Sequence, residues 1–234
     1  MSDQSSVLVV VAHPDDEVLG FGATGAALAA AGVPVRACIL SGAAEQRGMR
    51  PTDEELRADI LTAQELLGFQ KPIVGSFPNI SFNTVSHIDL VQFIEAAIME
   101  TGADTLVTHH PADTNDDHTC TSRACQAAAR LFQRRSNIAS LRSLRFMEVP
   151  SSTDWSFAAS GSSFIPDTFV YAGLTLEKKI AALRAYRGVM RDYPHPRSEA
   201  ALRALAAVRG AQAGLDHAEA FQTALQRIEC VAVF

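Results

Sequence analysis

The stretch SVLVVVAHPDDE, Ser6–Glu17, decides the fold. Val7 to Ala12 is an unbroken apolar run dominated by β-branched valine, the pattern of a strand buried on both faces of a parallel sheet. It ends at His13-Pro14, because proline lacks a backbone N–H and pushes the preceding residue away from helical angles. An imidazole and three carboxylates (Asp15, Asp16, Glu17) then emerge together at the carboxyl end of a central strand, the edge at which open α/β sheets bind ligands. Capping of the next helix by the acids is the competing explanation. His and Asp side by side are also the usual nitrogen and oxygen ligands of a divalent metal.

Outward from this stretch, strand and helix signals alternate. Val18–Ala31 reads as a buried helix stopped by Gly32, Val33–Leu40 as a second strand, and Ser41–Arg50 as a polar loop on the His13 edge. Thr52-Asp-Glu-Glu55 opens a helix with a capping signature, running to Leu67-Gly68. Lys71–Gly75 is a short strand. Ser86–Met99 is an amphipathic helix with Ile88, Val91, Ile94, Ala97 and Ile98 on its apolar face. Asp104–Thr108 is a strand, followed by the polar cluster His109-His110-Pro-Ala-Asp113-Thr-Asn115-Asp116-Asp117-His118 and a helix from Thr119 to Gln133. Leu144–Val149 is a further strand. Pro150–Ser163 reads as a long surface loop carrying the sole tryptophan, Trp155. Leu176–Arg191 is a helix, Tyr193–Ser198 a rigid turn, and Ser198 caps a helix to Gln212. Ala218–Phe234 is strand or helix. The alternation predicts an α/β, Rossmann-like fold: a mostly parallel sheet with helices on both faces, in a single domain spanning residues 1–234.

Gly20-Phe-Gly22-Ala-Thr-Gly25 matches the dinucleotide pattern GxGxxG, but it stands too far beyond the strand, and the second strand lacks the expected terminal acid. The glycines are expected to serve close helix packing or approach to a ligand.

The 234 residues, nearly half apolar, suffice for one large domain, and the net charge of −6 argues against phosphate-backbone binding to nucleic acid and against an anionic membrane surface. Cys38, Cys120, Cys125 and Cys230 lack CxxC spacing and fit free thiols. With no membrane-length apolar segment and no signal-like N-terminus, a cytoplasmic location is expected. A homo-oligomer stays open.

A catalytic zinc uses three protein ligands and keeps a fourth position for water. His13 and Asp16 supply two from one turn of chain. His118, beyond another strand and at a helix start, is the best third. Asp15 lies between two ligands, placed to face a bound water as general base. Asp117 is placed to orient a ligand.

These clusters, HPDDE after the first strand and THHPADTNDDH (Thr108–His118) after a later one, resemble the PIG-L/LmbE-like zinc deacetylase family. Lys179-Ile-Ala-Ala-Leu, Tyr186, the PHPRS turn (Pro194–Ser198) and RGAQAGLDHAEAF (Arg209–Phe221) extend the resemblance over essentially the whole chain. It implies a Rossmann-like sheet, one Zn²⁺ per chain on His13, Asp16 and His118, Asp15 as general base, and hydrolysis of the acetamide of an N-acetylated amino sugar (GlcNAc-type) or glycoconjugate. Several members carry an oxyanion-stabilising histidine three residues before the last ligand. Asn115 stands there in this chain, able to donate a hydrogen bond but not a proton, and His110 is the alternative. Trp155, Tyr193, His195 and Arg197 are expected to contact the sugar or its aglycone. The competing readings are a metal-dependent phosphoesterase and a non-catalytic zinc- or sugar-binding module.

Overall fold

In a computed structural model, residues 5–43, 51–138, 140–157 and 163–228 are described. The core is a seven-stranded sheet of order β3-β2-β1-β4-β5-β7-β6, formed by β1 (Val7–Val11), β2 (Val35–Ile39), β3 (Gln70–Val74), β4 (Thr105–His109), β5 (Ser143–Met147), β6 (Thr168–Tyr171) and β7 (Ala218–Gln226). The first five strands run parallel; β7 pairs antiparallel with β5 and with β6. The helices are α1 (Asp16–Ala30), α2 (Asp53–Leu67), α3 (His87–Thr101), α4 (Asp116–Ala128), the single turn α5 (Leu131–Arg134), α6 (Leu176–Ala185) and α7 (Glu199–Ala213).

Residues of β1 alternate between two apolar layers, as the period of a strand requires. Val7, Val9 and Val11 join α1, α2 and α6 on one face. Leu8 and Val10 join α3 and α4 on the other. The Rossmann-like reading of the sequence therefore holds.

Local chemistry sets the element ends. Thr52 and Glu55 form a reciprocal capping box at α2, and Gly68 closes that helix at φ 76°. Ser198 caps α7 through the Ala201 N–H. Gly20 and Gly25 in α1 do make room for packing: a Cβ would come within 2.5 Å of Met147 Sδ at the first and 2.3 Å of the Phe69 ring at the second.

Several expectations are corrected. Ile88 is 54 % exposed and lies outside the core. The helix expected over 119–133 begins three residues earlier and breaks after Ala128, and α6 ends at Ala185 rather than Arg191. Strand β6 gave no sequence signal, and the closing segment resolves as strand β7. The 150–163 loop is not wholly at the surface, since Ser152 and Thr153 are buried. Residues 44–50 and 158–162 of the two expected loops, and Cys230, lie outside the described residues. Cys38, Cys120 and Cys125 are free thiols. Among the described residues no helix is long and apolar enough to cross a membrane.

Candidate metal centre

Strand order reverses between β1 and β4: β2 and β3 extend to one side of the pair, β5 to the other. The crevice at such a switch point opens at the carboxyl ends of the strands. His13 leaves β1 there, and the chain leaving β4 returns in the first turn of α4 with His118.

Three ligand atoms converge. Asp16 Oδ2 lies 3.2 Å from His118 Nε2 and 3.4 Å from His13 Nδ1, and the two ring nitrogens are 3.3 Å apart. A triangle of that size has a point about 2 Å from every corner, the length of zinc–nitrogen and zinc–oxygen bonds. The far nitrogen of each ring is held by a carboxylate. His13 Nε2 lies 3.0 Å from Asp117 Oδ2, and His118 Nδ1 lies 3.3 Å from Asp113 Oδ1 and from Ser152 Oγ. Such partners fix the tautomer and turn the ligating nitrogen inward. Asp117 is fixed in turn by the Phe82 N–H at 2.9 Å, and Asp113 by Thr153 Oγ1 at 2.7 Å and by Ser152.

The electrostatics call for a cation. Burial works against a charged His118, but the Asp16 charge and the hydrogen bond to Asp113 outweigh it and push its pKa up to about 10. Burial likewise opposes the charge on Asp113, whose pKa the His118 contact still brings down to about 2. Asp16 is held well below the carboxylate range against its burial by His118 and His13. A second grouping of potential ligands, His109, Asp113 and His118, shares His118. It is already occupied: Asp113 receives the hydroxyls and the Asn115 N–H at 2.9 Å, while His109 Nε2 accepts the Ala12 N–H at 2.9 Å. His109 stacks on His118 with centroids 3.9 Å apart, and burial drives its pKa down to about 3, leaving it neutral.

A cavity of about 440 Å³ opens above the first grouping, lined by His13, Asp15, Asp16, Asn115, His118 and Arg197 among others. Asp15 precedes α1 at φ 99° and makes no side-chain capping bond, so the capping explanation fails for this acid. Its carboxylate lies 3.5 Å from Arg197 Nη1. Asn115 caps α4, accepting the Asp117 N–H on Oδ1 at 2.9 Å. With the oxygen so used, its amide N–H₂ is the group left for the cavity.

The other expected residues are placed differently. His110 does not line the cavity; its ring packs edge-on against Phe146 and Phe164. Tyr193 is 75 % exposed, and neither it, Trp155 nor His195 lines the cavity. Trp155 and His195 pack together at 5.6 Å, and His195 Nδ1 accepts the Arg197 N–H at 3.0 Å. They shape the loop that presents Arg197. Sequence reasoning missed Asp113 and Ser152. It also gave no part to Gln64, which with Tyr186 binds the buried Glu17.

The chain matches the family model PIG-L, described as GlcNAc-PI de-N-acetylase, over residues 8–129. No curated protein is significantly similar in sequence. Among solved structures, the conserved protein TT1542 from Thermus thermophilus is 26 % identical with a TM-score of 0.76, over 96 % of this chain and 97 % of that one. The N,N'-diacetylchitobiose deacetylase of Pyrococcus horikoshii superposes with a TM-score of 0.75 at 19 % identity, over 94 % of this chain and 84 % of that one. GalB, the 4-carboxy-2-hydroxymuconate hydratase of Pseudomonas putida KT2440, does so with a TM-score of 0.75 at 22 % identity, over 97 % and 99 %. The family model spans more than half of the sequence, including both clusters that meet at the switch point, and the chain therefore belongs to the PIG-L family.

Proposed function

We propose that the protein is a zinc-dependent hydrolase that removes the acetyl group from an N-acetylated amino sugar of the GlcNAc type, or from its conjugate. The observation that carries this reading is the convergence of His13 Nδ1, Asp16 Oδ2 and His118 Nε2 at 3.2–3.4 Å beneath a cavity that also holds Asp15 and Asn115. Family membership supports it. A zinc ion on the three ligands would supply Lewis acidity toward the acetyl carbonyl and lower the pKa of a bound water.

The residues of the chain do the rest. Asp15 accepts the proton of the attacking water and returns it to the departing amine. Arg197, anchored on Ser151 Oγ at 2.6 Å, holds that carboxylate toward the cavity. The Asn115 amide donates to the oxygen that gains charge as the carbonyl is attacked. Asp117 and Asp113 keep the two imidazoles aligned.

Acetate release from N-acetylglucosamine conjugates, with zinc and with chelator, tests the reading. Zinc-dependent release supports it, and release that chelation leaves untouched sinks it. Phosphoester hydrolysis and a purely binding role predict no acetate. A second reading, addition of water to an unsaturated acid, draws on the P. putida relative and on the arginines in the cavity lining. It predicts loss of conjugated absorbance with no acetate.

A further inference from the structure

The connector between α6 and α7 brings Arg187, Arg191 and Arg197 into the lining of the same cavity. Two are already engaged. Arg197 binds Ser151 and Asp15. Arg187 Nη1 lies 3.3 Å from Glu55 and 3.6 Å from Asp59. Arg191 differs. Its backbone N–H is tied to Arg197 O at 3.3 Å, so the root of the side chain is fixed, yet among the described residues no hydrogen bond or ion pair holds its guanidinium. The acids in the lining are Asp15 and Asp16, both at the metal-binding cluster, and the neighbouring Asn79, Thr114 and Asn115 are neutral. In a chain of net charge −6, the site thus gathers cationic groups and leaves one uncommitted. A guanidinium presents a planar fork of donors that matches a carboxylate or phosphate.

We propose that the substrate carries an anionic group, a carboxylate or a phosphate ester, within one sugar ring of its acetamide, and that Arg191 binds it with Arg187 adding its field. This rests on the deacetylase reading for what lies at the metal end of the cavity, but not for the anion site itself.

Three acetamides on one ring test it with the zinc-loaded enzyme: N-acetylglucosamine 1-phosphate, the carboxymethyl glycoside and the methyl glycoside. A charge-assisted contact predicts that at least one anionic substrate exceeds the methyl glycoside in kcat/KM by about tenfold or more, through KM. Added salt should erode the preference. Arg191→Ala should abolish it and Arg191→Lys should keep part of it. The phosphate and carboxylate arms tell which anion the site takes. Calorimetry with glucosamine 1-phosphate and methyl glucosaminide reads binding apart from turnover. Equal kcat/KM for neutral and anionic substrates overturns the proposal. So does a preference that survives undiminished in Arg191→Ala, because the anion is then held elsewhere in the cavity. If no acetamide is cleaved but the phosphate binds in an Arg191-dependent way, the deacetylase reading fails and the anion site stands.

Discussion

Asp15 is held at φ 99°, where a residue with a Cβ is strained by about 1–3 kcal/mol. Its neighbours over-determine that conformation. The Asp15 N–H donates to Glu17 Oε2 at 3.1 Å, and its carbonyl takes the N–H groups of Val18 and Leu19. Glu17 is itself pinned at Oε1 by the Tyr186 hydroxyl at 2.6 Å and Gln64 Nε2 at 2.9 Å. Its burial lifts its pKa to about 8, with the Tyr186 bond pulling the other way. The strained turn points the Asp15 carboxylate away from the helix it precedes, as a general base beside a ligand requires. Asp15→Asn should keep fold and metal yet lose at least about 10²-fold in turnover; near wild-type turnover would move the role elsewhere. Asp15→Gly, free to adopt positive φ, should be inactive and yet unfold in urea no earlier than the wild type, within about 1 kcal/mol. A clear loss of stability would show that the turn stores no strain. From the sequence, HPDDE was readable as a cluster of ligands and acids. The division of labour within it was not, because Glu17 is buried by partners 47 and 169 residues away. Asp113 was hidden for the same reason: which acid of an Asp-rich loop turns inward depends on Ser152 and Thr153, beyond the next strand.

Helix α1 carries the motif and is clamped at mid-length. Glu219 of β7 accepts the N–H groups of Ala23 at 3.1 Å and Thr24 at 2.7 Å, while Lys179 of α6 donates to Leu19 O and to Glu219, both at 2.7 Å. Leu19 stands four residues before Ala23, one helical step back, so this buried ion pair grips both ends of one step of α1. Lys179→Met would leave the Glu219 carboxylate buried without its cation, at a loss of about 3–5 kcal/mol. Adding Glu219→Gln should recover much of it, because the unpaired charge is the main penalty. Urea denaturation checks both variants, and a Lys179→Met protein within about 1 kcal/mol of wild type would refute the clamp. Strong local signals marked the elements well: the apolar run of β1, the Thr52 capping box, the glycine stop at Gly68. The failures were tertiary. Residues 186–191 continue a helical pattern, yet α6 stops because Tyr186 turns inward to reach Glu17, and Gly188 supplies a positive φ of 73°. Half-buried β6 exists because β7 offers it an edge.

Across the whole molecule, the parallel order on either side of β1 and β4 forces residues 105 positions apart into contact at 3.3 Å. That meeting was legible because both clusters follow buried strands. The proposed ligand set is assembled only in the folded chain, so metal, proton and stability would be linked. In the folded protein without metal, His118 holds its proton up to about pH 10 because Asp16 and Asp113 flank it against the opposing effect of burial. In the unfolded chain an ordinary histidine releases it near pH 6.5. A group raised in this way contributes stability that is fully present below pH 6.5 and is lost as pH rises through 10. A metal ion on His118 would take the place of that proton. Metal binding at pH 7 should therefore release at least one proton per ion, read by calorimetry in buffers of different ionisation enthalpy. The rise in Tm caused by zinc should widen between pH 6.5 and 9, where the metal-free protein loses the His118 contribution and the metal-bound protein has no such proton to lose. His118→Ala should lose both the metal and the release. Zinc that binds at pH 7 without releasing a proton would mean that His118 is not held protonated in the metal-free protein.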